Sequence, residues 1–124
     1  MKRVTGIGGI FFKANDRAAM LAWYEKHLGI KADPEWGTVF EWREKDDPEK
    51  EGMTVWSVFK QESKKFDRPY MLNYRVDDLD ALLAALEAEG VEIDPKRESG
   101  EFGKFAWIVD PEGNKIELWE PPKA

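Results

Sequence analysis

The chain predicts an α+β fold made of two tandem βαβββ halves that pack into one domain. Three observations carry this expectation. Strand-like and helix-like segments run in the same order twice along the 124 residues. Asp16 and Asp78 stand where they would cap a helix, and Gly29 and Gly90 where they would end one, at a nearly constant offset of about 60 residues. Neither half can bury both its helix and its sheet alone, so the two are expected to share a core.

Each element has its own signal. Ile7–Lys13 is a short aromatic and β-branched run, which reads as a strand. Asn15 or Asp16 then caps the helix RAAMLAWYEKHL, with Met20, Trp23, Tyr24 and Leu28 near one face. Gly29 closes it in a left-handed conformation. Ile30–Ala32 with Asp33-Pro34 is the expected next strand. Thr38–Arg43 and Met53–Lys60 follow as strands, joined by the charged connection EKDDPEKEG. Gln61–Pro69 is the expected polar linker. In the second half Tyr70–Val76 is a strand, and Asp77 or Asp78 caps a helix with Leu79, Leu82, Leu83 and Leu86 in one stripe. Val91–Arg97, Phe102–Val109 and Lys115–Glu120 complete the half as strands.

These boundaries make residues 1–124 one domain, with module one at 1–62, a linker at 61–69 and module two at 70–122. The 42% hydrophobic content and six Trp suit a folded globule. A net charge of −6 with no basic cluster argues against nucleic acid. The absence of Cys excludes disulfides and thiolate chemistry. No apolar run approaches the ~20 residues a membrane span needs. The opening MKRVTGIGGIFFKAND runs into a helix cap rather than a cleavage site, so no signal peptide is expected and the cytoplasm is the expected location.

The opening GIGGIFFKAND…WYEKHLGI, the segment NYRVDDLDALLAALEAEGV and above all the closing DPEGNKIELWEP resemble the vicinal oxygen chelate superfamily. That group includes glyoxalase I, extradiol dioxygenases, fosfomycin-resistance enzymes and bleomycin-resistance proteins. The resemblance covers nearly the whole chain. It implies paired modules whose strands curl into a cupped, incomplete barrel with the helices outside. The DPEGN turn also has a local logic: Pro111 presets φ, Gly113 supplies a left-handed residue, and Asp110 and Asn114 bond nearby backbone.

Metal-dependent relatives hold a divalent ion with four side chains from the first and last strands of each half. Aligning the halves through their caps, and EGMTVW with EGNKIE, puts Gly9, Trp56, Met71 and Glu117 at those positions. Only Glu117 is a competent ligand. The single His, His27, lies at a helix end, where it suits the helix dipole. No metal and no cofactor are therefore expected. The alternative is an oxygen-only site of Asn73, Glu41 and Glu117, suited to Mg²⁺ or Ca²⁺.

Strand alternation then suggests what the cup holds. With Glu117 inward, Trp119 shares its face, and Ile116 and Leu118 face the helices. The repeat brings Thr54, Trp56 and Val58 inward, and the opening strands contribute Phe11, Lys13, Asn73 and Arg75. Glu41 and Arg43 are favoured from the third strands, while Trp107 suits either face. The expected ligand-binding residues are Trp56, Asn73, Arg75, Glu117, Trp119, Trp107, Glu41 and Phe11. Glu117 is either paired with Arg75 or Arg43, or stands in an apolar recess as general base or anchor.

The expected function is metal-free binding of a small, partly aromatic molecule, in the manner of bleomycin-resistance proteins. The resemblance also implies a homodimer. The alternative is a glyoxalase-like lyase or isomerase with Glu117 as the catalytic base and Arg75 holding the oxyanion. A third reading fills the cup and leaves an interaction module.

Overall fold

The computed structural model describes residues 2–123. Its elements run β1 (Val4–Ala14), α1 (Arg17–Leu28), β2 (Thr38–Arg43), β3 (Glu51–Lys60), β4 (Tyr70–Val76), α2 (Leu79–Ala88), β5 (Glu92–Gly100), β6 (Gly103–Val109) and β7 (Lys115–Glu120). The chain divides into two compact units, Gly9–Met71 and the pair of segments Met1–Gly8 and Leu72–Ala124. Strands β1 and β4 each contribute residues to both.

In the unit Gly9–Met71 the strand order is β2-β3-β1. Strand β1 runs parallel to β3, with Phe11 opposite Ser57, and β2 runs antiparallel to β3, with Thr38 opposite Trp56. Asp16 caps α1, its carboxylate accepting the Ala19 N–H at 3.0 Å. Gly29 ends the helix at φ 70°. The core of this unit is Ala14, Trp56 and Val58, with Phe12, Met20, Leu21, Tyr24, Ile30 and Ala32 packed against it.

Three expectations change here. Ile30–Ala32 with Asp33-Pro34 forms no strand: Asp33 accepts the Glu35 N–H at 2.8 Å, and an isolated bridge to Gly37 closes a turn. Pro34 has no N–H to give a ladder, and the local Asp33 bond favours the turn. This half is therefore β-α-β-β. Trp23 and Leu28 are exposed, because Met20, Leu21 and Tyr24 form the face of α1 that meets the sheet. The segment 61–69 is not wholly polar: Phe66 is buried against Phe59, with the Lys13 ammonium over its ring.

In the other unit, β1 borders β4 through Thr5, whose hydroxyl donates to the Arg75 carbonyl at 3.2 Å. The order continues β4-β7-β6-β5, with β4 parallel to β7 and the remaining pairs antiparallel. Asp78 caps α2 as expected, accepting the Ala81 N–H. Glu120 of β7 accepts the Leu79 N–H at 2.8 Å and ties the helix to the sheet. The leucine stripe of α2 packs with Val76, Ala106 and Leu118. In neither unit does the sheet close on itself, since β2 and β5 are edges. The α+β class and the unclosed sheet are as the sequence suggested. Among the described residues no helix is long and apolar enough to cross a membrane.

Leu83 is 1% exposed at the centre of the α2 cluster. Leu83→Ala is expected to cost about 2–5 kcal/mol in urea unfolding, from lost burial and the cavity left behind.

Candidate functional site

One row of side chains crosses three adjacent strands. Asn73 on β4 lies opposite Glu117 on β7, and Glu117 lies opposite Trp107 on β6. Residues directly opposite share a face, so all three project to the same side. Tyr74, Leu118, Ile108 and Ile116 alternate to the other side and pack with α2. The next row is Arg75, Trp119 and Phe105.

The β6–β7 register is fixed by the turn between the strands. The Asp110 carboxylate accepts the Glu112 and Asn114 N–H groups at 2.9 Å each, and the Asn114 side-chain amide at 2.9 Å. Gly113 takes φ 87°, a conformation glycine adopts without steric cost. The DPEGN sequence therefore acts on the site indirectly, by setting which β6 residue faces Glu117.

Glu117 is half-buried, and both of its oxygens are engaged. Oε1 accepts from Asn73 Nδ2 at 2.6 Å, and Oε2 accepts from Trp107 Nε1 at 3.0 Å. The two donors are neutral and almost fully buried, at 2% exposure for Asn73 and 7% for Trp107. They hold the carboxylate in one orientation. The Lys96 and Lys115 ammoniums lie 5.5 and 5.6 Å from the centre of the Trp107 ring, within cation–π range. Trp119 stacks on Phe105 with an interplanar angle of 6°, and its N–H donates to the Phe102 carbonyl at 2.8 Å. At 8% exposure Trp119 is floor rather than open wall.

Gly8 makes room for this arrangement. A Cβ there would lie 2.2 Å from Asn73 Oδ1 and 3.0 Å from the Trp119 ring. Asn73 Oδ1 itself is buried without a described hydrogen-bond partner.

Of the expected residues, the structure brings Asn73, Arg75, Glu117, Trp107 and Trp119 onto one face. Trp107, compatible with either side from the sequence, lies with Glu117. Phe11, Trp56 and Glu41 belong to the unit Gly9–Met71. There Phe11 lies 5.5 Å from Phe59, and Glu41 is exposed opposite Met53. Arg43 bonds to the Pro48 carbonyl and pairs with Glu51. Trp56 does not share the face of Phe11. Its ring lies 5.4 Å from Phe12 and 5.0 Å from Tyr24, under α1, and Thr54 and Val58 alternate to the same side.

The cause is a one-residue register error. Phe11 opposes Ser57 as Asn73 opposes Glu117, so Ser57, not Trp56, is the counterpart of Glu117. The two Glu-Gly pairs used for alignment are not equivalent. Glu51-Gly52 already lies in β3, whereas Glu112-Gly113 lies in the turn before β7. A slip of one residue moves every side chain to the opposite face. Of the two lysines over Trp107, Lys115 lies two residues before Glu117 and shares its face by the same alternation, while Lys96 stands in the irregular pairing between Ile93 and Arg97, where alternation does not place it.

The family positions thus carry Gly9, Ser57 and Met71 in the unit Gly9–Met71 and Glu117 in the other unit. Taken each by its own chemistry, these residues are poor donors for a divalent cation. Glycine offers no donor, a neutral hydroxyl and a thioether are weak ligands for hard ions, and both Glu117 oxygens already accept N–H bonds. Among the described residues no group of three or more His, Cys, Asp or Glu could hold an ion. His27 lies 5.0 Å from Trp23 at the end of α1.

The sequence model described as Glyoxalase/Bleomycin resistance protein/Dioxygenase superfamily matches residues 6–118. No curated protein matches the sequence. Several solved structures are similar. Methylmalonyl-CoA epimerase from Mycobacterium tuberculosis is 23% identical, with 99% of this chain and 92% of that chain covered and a TM-score of 0.61. A Streptomyces coelicolor methylmalonyl-CoA epimerase variant, solved with 2-nitronate-propionyl-CoA, is 17% identical over 98% of this chain and 97% of its own, with a TM-score of 0.68. A Legionella pneumophila structure described as an NAD-dependent benzaldehyde dehydrogenase is 14% identical over 92% and 98%, with a TM-score of 0.58. The names differ while the fold persists, so the likeness speaks for the fold.

Gly8→Ala is expected to destabilise the protein by about 1–3 kcal/mol, through overpacking against Asn73 and Trp119. In an Asn73→Ala background the same change should cost at least about 1 kcal/mol less, read from a double-mutant cycle in urea. Equal costs in both backgrounds would contradict the close approach.

Proposed function

The chain belongs to the Glyoxalase/Bleomycin resistance protein/Dioxygenase superfamily, and from that premise we propose that it binds a small, partly aromatic molecule without a metal ion. The contact surface is the Glu117 face. One observation supports the reading above the others: a half-buried carboxylate fixed by Asn73 and Trp107 on a floor of indoles. A negative charge beside aromatic rings suits a ligand with a cationic or N–H-donating group on an aromatic body. The ammoniums of Lys96 and Lys115 already occupy the Trp107 ring. A ligand cation would take their place and gain the carboxylate as counter-ion.

A single acid among Gly, Ser and Met supports the metal-free part of this reading, by the chemistry of the donors. The protein works as one domain in the cytoplasm and as a homodimer. The exposed side chains of Trp23, Phe40 and Tyr70 offer apolar surface that a second copy would cover.

A second reading has one observation in its favour. Arg75 stands in the row beside the oriented Glu117. Proton abstraction next to a carbonyl uses such a pair, with the carboxylate as base and the guanidinium holding the developing oxyanion. Epimerases are the named activity of several structures similar to this chain. In this reading Glu117 moves the proton and Arg75 stabilises the enolate.

Binding of benzyltrimethylammonium, followed by tryptophan fluorescence on chelator-treated protein, tests the first reading. Glu117→Gln keeps the shape and removes the charge, and should weaken binding about tenfold or more. No binding, equal binding by the variant, or loss of binding on chelation would contradict it. The second reading predicts solvent deuterium incorporation at the carbon next to the thioester of methylmalonyl-CoA, abolished in Glu117→Gln.

A further inference from the structure

The geometry points to a second binding site in the unit Gly9–Met71, a groove that takes the phosphoryl group of a phosphorylated small molecule. The groove is about 610 Å³ and is lined by Arg17, Ser57, Lys60 and Lys65 together with Ser63, the apolar stem of Phe59 and the rim acids Glu35 and Glu62. It exists because one strand stops short. Strand β2 pairs with β3 only as far as Thr38 opposite Trp56, and the chain before it turns away at Asp33–Gly37. The edge of β3 over Ser57–Lys60 is therefore left without a neighbouring strand on that side. In the other unit the matching edge is covered, since β6 runs along β7 through Glu120.

Two features at the groove's depth indicate an oxyanion. The first is Arg17, whose Nε–H donates to the Val58 carbonyl on the open edge. That bond fixes the guanidinium while both Nη groups make no described hydrogen bond. A planar fork held in this way is suited to oxygen atoms of phosphate or carboxylate. The second is Ser57, only 5% exposed, which lines the groove and has no described side-chain hydrogen bond. The hydroxyl oxygen is not among the described buried polar atoms without a partner, so it is open to solvent and can donate to a ligand oxygen.

The charge pattern selects the ligand further. Arg17 is half-buried and Ser57 is buried, while Lys60, Lys65, Glu35 and Glu62 are all exposed at the rim. The polar side chains of the groove that are not exposed, those of Arg17, Ser57 and Ser63, are all donors, in a protein whose net charge is −6. Arg17, Lys60, Lys65, Ser57 and Ser63 together offer more donors than the two oxygens of a carboxylate accept. A phosphoryl group, with three acceptor oxygens, uses them better. The volume exceeds that of one phosphate, so the group would belong to a larger molecule. Apart from Ser57, which stands at a family position, no groove residue was placed in the Glu117 site, and none belongs to the row of Asn73, Glu117 and Trp107.

Titration calorimetry with pyrophosphate on the full chain tests the assignment, with acetate as the carboxylate arm and added salt as a check on charge. The expected result is pyrophosphate binding that exceeds acetate binding and weakens with salt. Ser57→Ala, which removes no described contact, should weaken it about tenfold. Arg17→Lys keeps the charge but not the fork and should weaken it about tenfold or more. Glu117→Gln should bind pyrophosphate as the parent does, which separates this site from the Glu117 reading. No pyrophosphate binding, tighter acetate binding, or parent-like affinity in both Ser57→Ala and Arg17→Lys would overturn the proposal.

Discussion

The pairing of Asn73 with Glu117 and of Glu117 with Trp107 is the constraint from which the rest follows. Side chains on a strand alternate with period two, so one register decides both faces at once. On one side it assembles the leucine-rich core beneath α2. On the other it assembles a carboxylate, its two neutral donors and a pair of stacked rings. A chain that buried Glu117 against α2 would lose its core and its site in the same step. This coupling explains why the register is guarded from several directions. The Asp110 collar sets the β6–β7 turn, Glu120 grips the first turn of α2, and Gly8 leaves space for Asn73.

The same scaffold has been used differently in the two units. Asn73 and Glu117 become Phe11 and Ser57 at the matching pair. A polar pair is thus replaced by an aromatic ring and a small hydroxyl, and the neighbouring space is filled by Phe59 and Phe66. Where β6 covers β7, the shorter β2 leaves β3 uncovered. One unit thus carries an oriented acid and the other an uncovered strand edge beside Arg17.

Much of this was legible in the sequence because local signals act locally. Both helix caps, the glycine after α1, the DPEGN turn and the leucine stripe of α2 depend on neighbours within a few residues. The alternation along β7 correctly separated Glu117 and Trp119 from Ile116 and Leu118. What failed depended on distant partners. The position of Trp56 required the β1–β3 register, and the matching Glu-Gly letters concealed a strand in one half and a turn in the other. Met20, Trp23, Tyr24 and Leu28 have helical spacing, yet α1 meets the sheet through Met20, Leu21 and Tyr24, which leaves Trp23 and Leu28 exposed. Ile30–Ala32 has strand-like residues, yet Asp33 and Pro34 immediately commit the backbone to a turn. The β7 alternation puts Lys115 on the Glu117 face, whereas Lys96 lies where the β5–β6 pairing is irregular and alternation gives no face.

The hydrogen-bonded state of the Trp107 indole is the most direct probe of the central arrangement. Nitrogen-resolved NMR can follow its Nε1–H exchange with solvent. If Glu117 holds that proton within the buried row, exchange is slow in the parent protein and the resonance moves when the carboxylate is replaced by an amide. An indole proton that exchanges as fast as that of the exposed Trp23, and ignores the change at residue 117, would contradict the account.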